Sequence, residues 1–194
     1  FIKKNKITNI DFISSHGHTV YHQPEENYTF QLGNRIELRG LIKKPIVCDF
    51  RVQDVALGGQ GAPLVPIGDL LLFKDFSHCI NLGGFCNISI KNDSEITAYD
   101  ICPVNVVLNY FSKEIGLSFD KDGNHAKLGS VNKELLKELN EIEYYEEEPP
   151  KSLGIEWVKE NIFPIIEKYK ITNEDILCTY TEHISVSYTH LTLP

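Results

Sequence analysis

Apolar and polar positions along this chain predict a mixture of strands and helices. Residues 10–14 read as a strand that runs into the polar turn Ser15-His16-Gly17-His18-Thr19. Tyr28-Thr29-Phe30-Gln31-Leu32 alternates with the two-residue period of a strand and stops at the turn pair Gly33-Asn34. Residues 35–41 predict a short helix or strand closed by Gly40, residues 45–50 a short buried strand, and residues 68–73 a short helix. The runs 78–82 and 85–90 flank Gly83-Gly84, the pattern of a tight hairpin, and residues 96–100 supply a third strand. From there the spacing turns helical. Residues 104–115 predict a helix ending at Gly116, and residues 131–140 an amphipathic one with Leu135, Leu136 and Leu139 on one face. Pro164 interrupts or restarts a helix entered near Trp157, and Thr172-Asn173-Glu174-Asp175 opens the last one with a capping-box pattern.

The strands fall into two groups, before about Pro66 and after about His78. That grouping predicts two α/β lobes, with residues 1–76 part of the first and residues 77–185 part of the second. No internal repeat or low-complexity tract breaks the pattern. The chain holds no methionine and opens as if in mid-domain, so a fragment is expected. It closes in a helical pattern with no cap, which leaves open whether residues 186–194 are native.

Charge and composition narrow the class. A 42% hydrophobic share supports a packed core, and a net charge of −8 without a basic patch argues against nucleic acid. The acidic excess gathers at residues 138–148 and reads as a solvated face. No apolar run approaches a membrane span, and Lys3, Lys4 and Lys6 are not followed by the apolar core of a signal peptide. Five cysteines, Cys48, Cys79, Cys86, Cys102 and Cys178, fit no zinc spacing. They read as reduced core thiols of a cytoplasmic protein.

The densest chemistry lies at residues 49–66. Asp49, Arg51, Gln53 and Asp54 leave a short strand and meet three glycines, Gly58, Gly59 and Gly61. Glycine lets backbone N–H groups approach a ligand closely, at an entropic cost to folding. Two other turns share the design, at Ser15-His16-Gly17 and at Asn81-Leu82-Gly83-Gly84 with Asn87, and Asp100 ends a strand of its own. Glycine turns can bind phosphate oxygens, and a neighbouring carboxylate can hold Mg²⁺ or take a proton. The plainer readings are a hairpin turn at Gly83-Gly84 and an Asp54 that merely caps its turn. His16, His18 and His22 admit a metal site, but no third ligand follows at a fitting spacing.

In order, the runs Ser15 to His22, Gln31-Leu32-Gly33-Asn34, Asp49 to Pro66, Asn81 to Asn87 and Pro150-Lys151-Ser152-Leu153-Gly154 resemble the anhydro-N-acetylmuramic acid kinases of bacterial cell-wall recycling. The resemblance covers the chain to about Ser185. It implies an actin/hexokinase-like (ribonuclease H-like) fold of two α/β lobes around a cleft, incomplete here. It implies ATP and Mg²⁺, phosphorylation of the sugar 6-hydroxyl, and hydrolytic opening of the anhydro ring to N-acetylmuramic acid 6-phosphate. Asp54 matches the general base. His16, Asn34, Arg51, Gln60, Gly61 and Glu156 are expected against the sugar, and Asn81, Gly83, Gly84, Asn87 and Asp100 against the nucleotide. Partners are then small molecules, with no nucleic acid or membrane, and a homodimer stays open.

The chain departs from the family pattern in places. Members often carry Gln at His18, Asp at Asn34, Arg at Ile155, and Thr-Gly-Pro-Gly-Asn where Ile101-Cys102-Pro103-Val104-Asn105 stands. The family's first phosphate turn and most of its adenosine pocket have no counterpart, so the 194-residue chain alone is expected to be inactive. The alternative is a non-catalytic sugar-binding or scaffold module of the same fold.

Overall fold

The computed structural model describes residues 4–34, 36–61, 64–92 and 95–192. Lys3, Arg35, Ala62, Pro63, Leu193 and Pro194, which the sequence reading touched, lie outside them. The chain is a mixed α/β protein dividing into two compact units, residues 1–68 and 69–194.

In the first unit, β1 (Ile13–Ser15) pairs in parallel with β4 (Ile46–Cys48), placing Ser15 opposite Cys48. β2 (His18–Gln23) pairs antiparallel with β3 (Tyr28–Leu32). A 3₁₀ turn, Pro24–Glu26, joins them and ends at Asn27, whose φ of 54° is left-handed, a conformation Asn tolerates. The irregular stretch 15–19 is thus partly strand, because His18 and Thr19 gain partners in β3. β3 turns its polar face inward: Thr29 is 7% exposed and Gln31 1%, while Tyr28 and Leu32 are exposed. Buried polar groups persist when they bond one another, and Gln31 Nε2 donates to Thr29 Oγ1 at 2.6 Å. Two helices follow in this unit, α1 (Leu38–Leu41) and α2 (Val52–Ala56), and β3 packs against α2. α3 (Leu64–Leu72) begins four residues earlier than the expected helix, at Leu64 rather than Gly68.

In the second unit, β5 (His78–Leu82), β6 (Phe85–Lys91) and β7 (Ile96–Pro103) form an antiparallel meander in that order. Residues 69–76 belong to this unit, and Lys91 Nζ donates to the Asp69 and Phe73 carbonyls. The helices are α4 (Asn105–Glu114), α5 (Lys133–Asn140), α6 (Ile155–Asn161), α7 (Phe163–Glu167) and α8 (Asn173–Thr192). Ile88 and Ile101 of the sheet meet Val107, Leu135, Leu139, Leu177 and Tyr180 of the helices, and Ile162 between α6 and α7, in one core. Each such aliphatic side chain contributes roughly 1.5–3 kcal/mol by leaving water.

Local signals set the helix ends. Asn132 caps α5 by accepting from the Glu134 and Leu135 amides at 3.1 and 2.9 Å. Pro164 restarts the helix as α7, since its missing N–H costs nothing in a first turn. Thr172 Oγ1 accepts from Asp175 N–H at 3.1 Å and opens α8, which continues through Thr192. Gly129 lies so close to the start of α8 that a Cβ there would sit 2.1 Å from the Glu174 carbonyl oxygen.

Candidate functional site

The glycine run after β4 folds back over Asp54. α2, a five-residue helix the sequence did not announce, carries Asp54 half-buried on its middle turn. Gly61 N–H donates to Asp54 Oδ2 at 2.6 Å, and Gly59 N–H donates to the Asp54 carbonyl at 2.8 Å. Gly58 and Gly61 have left-handed φ values of 88° and 71°, which glycine adopts without strain. Gly59 is needed for space instead, because a Cβ there would lie 2.3 Å from Asp54 Oδ2. The ligand that the structure gives this turn is therefore the Asp54 carboxylate. Gln60 is exposed at the crest, and Arg51 Nη1, just before α2, reaches Thr19 Oγ1 at 3.4 Å.

The His16 turn packs on the end of β3. Gly17, φ 75°, leaves no room for a side chain: its Cβ would sit 2.5 Å from the Leu32 carbonyl oxygen and 3.1 Å from Asn34 Cβ. Ser15 Oγ donates to the Gly33 carbonyl at 2.7 Å. His16 is exposed, its Nδ1 3.1 Å from the Gly17 carbonyl oxygen. Asn34 is buried and lines an open groove of about 920 Å³ with Glu37, Lys43, Lys44 and Asp49. Asp49 holds a left-handed φ of 64°, uncommon for a residue other than glycine. Among the described residues no three His, Cys, Asp or Glu side chains gather as a metal site.

In the second unit, strand register lines up three of the expected nucleotide residues. Asn81 pairs with Asn87, and Asn87 with Asp100, so they form a row across β5, β6 and β7. Directly opposed residues point to the same face of a sheet. Gly83 and Gly84 form the hairpin tip. Its carbonyls take the first amides of α4: Val104 and Val106 donate to Gly84, and Asn105 Nδ2 donates to Gly83 at 2.7 Å. The departed segment at residues 101–105 is thereby tied to the hairpin.

Asp100 also joins this row to the Pro150–Gly154 run. Its Oδ2 accepts from Leu153 N–H at 2.8 Å, and its N–H donates to the Lys151 carbonyl at 3.2 Å. Tyr144 OH donates to the Asp100 carbonyl at 2.7 Å. Lys151 is buried, donates to the Tyr144 carbonyl at 2.9 Å, and lies 4.7 Å from the centre of the Tyr144 ring. Burial pulls its ammonium pKa down. Glu156 is exposed near the start of α6, with Oε2 3.0 Å from where a Gly154 side chain would begin.

Sequence reasoning gave no role of their own to Thr29, Gln31, Lys151 and Tyr144. The first two sit on the polar face of an alternating strand, where pattern alone assigns them to solvent. The last two lie in segments without periodicity.

A family model for anhydro-N-acetylmuramic acid kinase matches residues 1–190. The anhydro-N-acetylmuramic acid kinase of Pseudomonas syringae pv. syringae is 37% identical over 187 residues, covering 91% of this chain and 50% of that protein. The enzyme of the same name from Aliivibrio fischeri is 38% identical over 183 residues, covering 90% and 50%. That of Clostridioides difficile is 33% identical over 207 residues, covering 97% and 54%. The chain spans about half the length of the curated relatives it matches. It belongs to the anhydro-N-acetylmuramic acid kinase family.

Proposed function

We propose that the full-length parent of this chain phosphorylates 1,6-anhydro-N-acetylmuramic acid at the 6-hydroxyl from ATP while water opens the anhydro bridge. The product is N-acetylmuramic acid 6-phosphate, a step of cell-wall recycling in the cytoplasm. The fold of the parent is actin/hexokinase-like with two α/β lobes, the first carrying Asp54 and the second the β5–β7 meander. The observation that carries this reading is the seat built for Asp54: a glycine turn shaped around its carboxylate and bonded to Oδ2. Family membership supplies the substrate class.

In this reading Asp54 takes a proton from water as that water's oxygen attacks the anomeric carbon. The bond from that carbon to O6 breaks, and O6 attacks the γ-phosphoryl group, with ADP leaving. His16, Asn34, Arg51, Gln60, Gly61 and Glu156 orient the sugar. Asn81, Gly83, Gly84, Asn87 and Asp100 face the nucleotide. Mg²⁺ neutralises charge on the transferring phosphoryl group when bound, and it needs only one or two protein carboxylates beside phosphate and water. Asp100 is the carboxylate that the row offers, and its type fits. The protein acts on small molecules, as a monomer or a homodimer. No helix among the described residues is long and apolar enough to cross a membrane.

The test is turnover of the anhydro sugar with ATP by the full-length protein in ¹⁸O-water. The reading predicts one label at the anomeric carbon of a phosphorylated product. A phosphorylated sugar with an intact anhydro bridge, or no phosphorylated product, contradicts it.

A further inference from the structure

Behind the Asp54 seat lies a buried polar support. Gly61, whose N–H holds Asp54 Oδ2, is wedged between two side chains. A Cβ on it would lie 2.8 Å from Val55 Cγ2 and 3.0 Å from His22 Cε1. The His22 ring therefore packs directly on the Gly61 backbone. His22 Nδ1 is 3.1 Å from Thr29 Oγ1, and Thr29 Oγ1 accepts from Gln31 Nε2 at 2.6 Å.

The donors and acceptors fix how this support is wired. An amide nitrogen only donates, so Thr29 Oγ1 is the acceptor in its bond to Gln31. The single hydroxyl hydrogen of Thr29 then has two acceptors in reach, His22 Nδ1 at 3.1 Å and the Tyr21 carbonyl at 3.5 Å. His22 Nδ1 is the nearer of the two, so the Thr29 hydroxyl ties the ring in place. Thr29 and Gln31 are both buried; hydrogen-bond contacts run from Gln31 through Thr29 to His22, and the His22 ring meets Gly61 by packing.

We infer that Thr29 and His22 are positioning residues for Asp54, acting through the Gly61 N–H. The inference rests on the reading of Asp54 as the base. Fixing a base against its water supplies part of the orientation that catalysis needs, and small displacements lower the rate. Loss of the support should then lower kcat by more than it raises KM, since of the residues placed against the sugar the support touches Gly61 alone.

The experiment is a mutant cycle in the full-length protein with Thr29→Val, Thr29→Ser, Asp54→Asn and the Thr29→Val/Asp54→Asn pair, each with its melting temperature. Thr29→Val should lower kcat about tenfold with KM within about twofold, and Thr29→Ser should recover most of the loss. With Asp54 already replaced, Thr29→Val should change the residual turnover by less than about twofold, because the two act as a unit. An equal tenfold loss in both backgrounds, or a normal Thr29→Val enzyme, overturns the inference. If Thr29→Val does not fold, His22→Ala carries the same cycle with the same expectations. The Asp54→Asn enzyme alone reports on the base reading: near-normal turnover there overturns that reading, whatever Thr29 does.

Discussion

Gly59 lies against the carboxylate of Asp54, so closely that any side chain at that position would begin 2.3 Å from Oδ2 and 2.7 Å from Oδ1. The glycine run is thus shaped by the acid it encloses. Gly59→Ala in the full-length protein must displace either the turn or the carboxylate. Turnover should fall by about tenfold or more, while the melting temperature, set mainly by cores elsewhere, moves by only a few degrees. Steady-state kinetics and thermal unfolding on one preparation check this, and a Gly59→Ala enzyme with normal kcat would remove the steric argument.

His183 predicts an acid-sensitive step in stability. Its buried ring donates from Nδ1 to Asn140 Oδ1 at 2.6 Å and accepts from Tyr145 OH at 2.9 Å, an arrangement for the neutral form. Burial lowers its pKa from 6.5 to about 4. Between those values the unfolded chain binds a proton that the folded chain refuses. Stability from this group is therefore complete above about pH 6.5 and declines as the pH falls to about 4, by on the order of 3 kcal/mol. Denaturant unfolding from pH 7 to 4 should show the decline, and His183→Phe should flatten it while lowering stability at pH 7. An unchanged pH slope in His183→Phe would remove the assignment.

Thr172 sets the start of α8 through its hydroxyl bond to Asp175 N–H. Thr172→Ala removes an N-cap worth about 1 kcal/mol, and Thr172→Ser should restore it. The same acid, Asp175, accepts from Ser130 N–H at 2.7 Å, and these bonds hold its carboxyl below the ordinary range. That contribution is present at neutral pH and lost as the acid protonates. Urea midpoints of Thr172→Ala and Thr172→Ser at pH 7 check the cap, with unchanged midpoints the contrary result.

The parts of this fold with strong local signals were legible in the sequence. The Gly83-Gly84 hairpin, the Leu135 and Leu139 face of α5 and the Thr172 start of α8 each carry their pattern within about ten residues. Pairing across distance left no such mark: β1 meets β4 more than thirty residues on, and nothing near Ile13 encodes it. α2 is too short to show a helical period, so the sequence read the glycine run as a loop without the short helix that carries Asp54 into it. β3 inverts the usual rule, since Thr29 and Gln31 bond each other inside while Tyr28 and Leu32 face out. The tie from Asp100 to Leu153 spans 53 residues and joins two motifs that the sequence read separately.

Asp54→Asn in the full-length protein separates a general base from a carboxylate that only holds its turn. Asn keeps an acceptor for the Gly61 N–H, so the turn and the fold should persist. It cannot take the proton of an attacking water. The account predicts a loss of turnover of roughly a hundredfold or more, the scale of a missing general base, with the melting temperature little changed. Turnover of the anhydro sugar within a fewfold of wild type, in a folded Asp54→Asn protein, would contradict it.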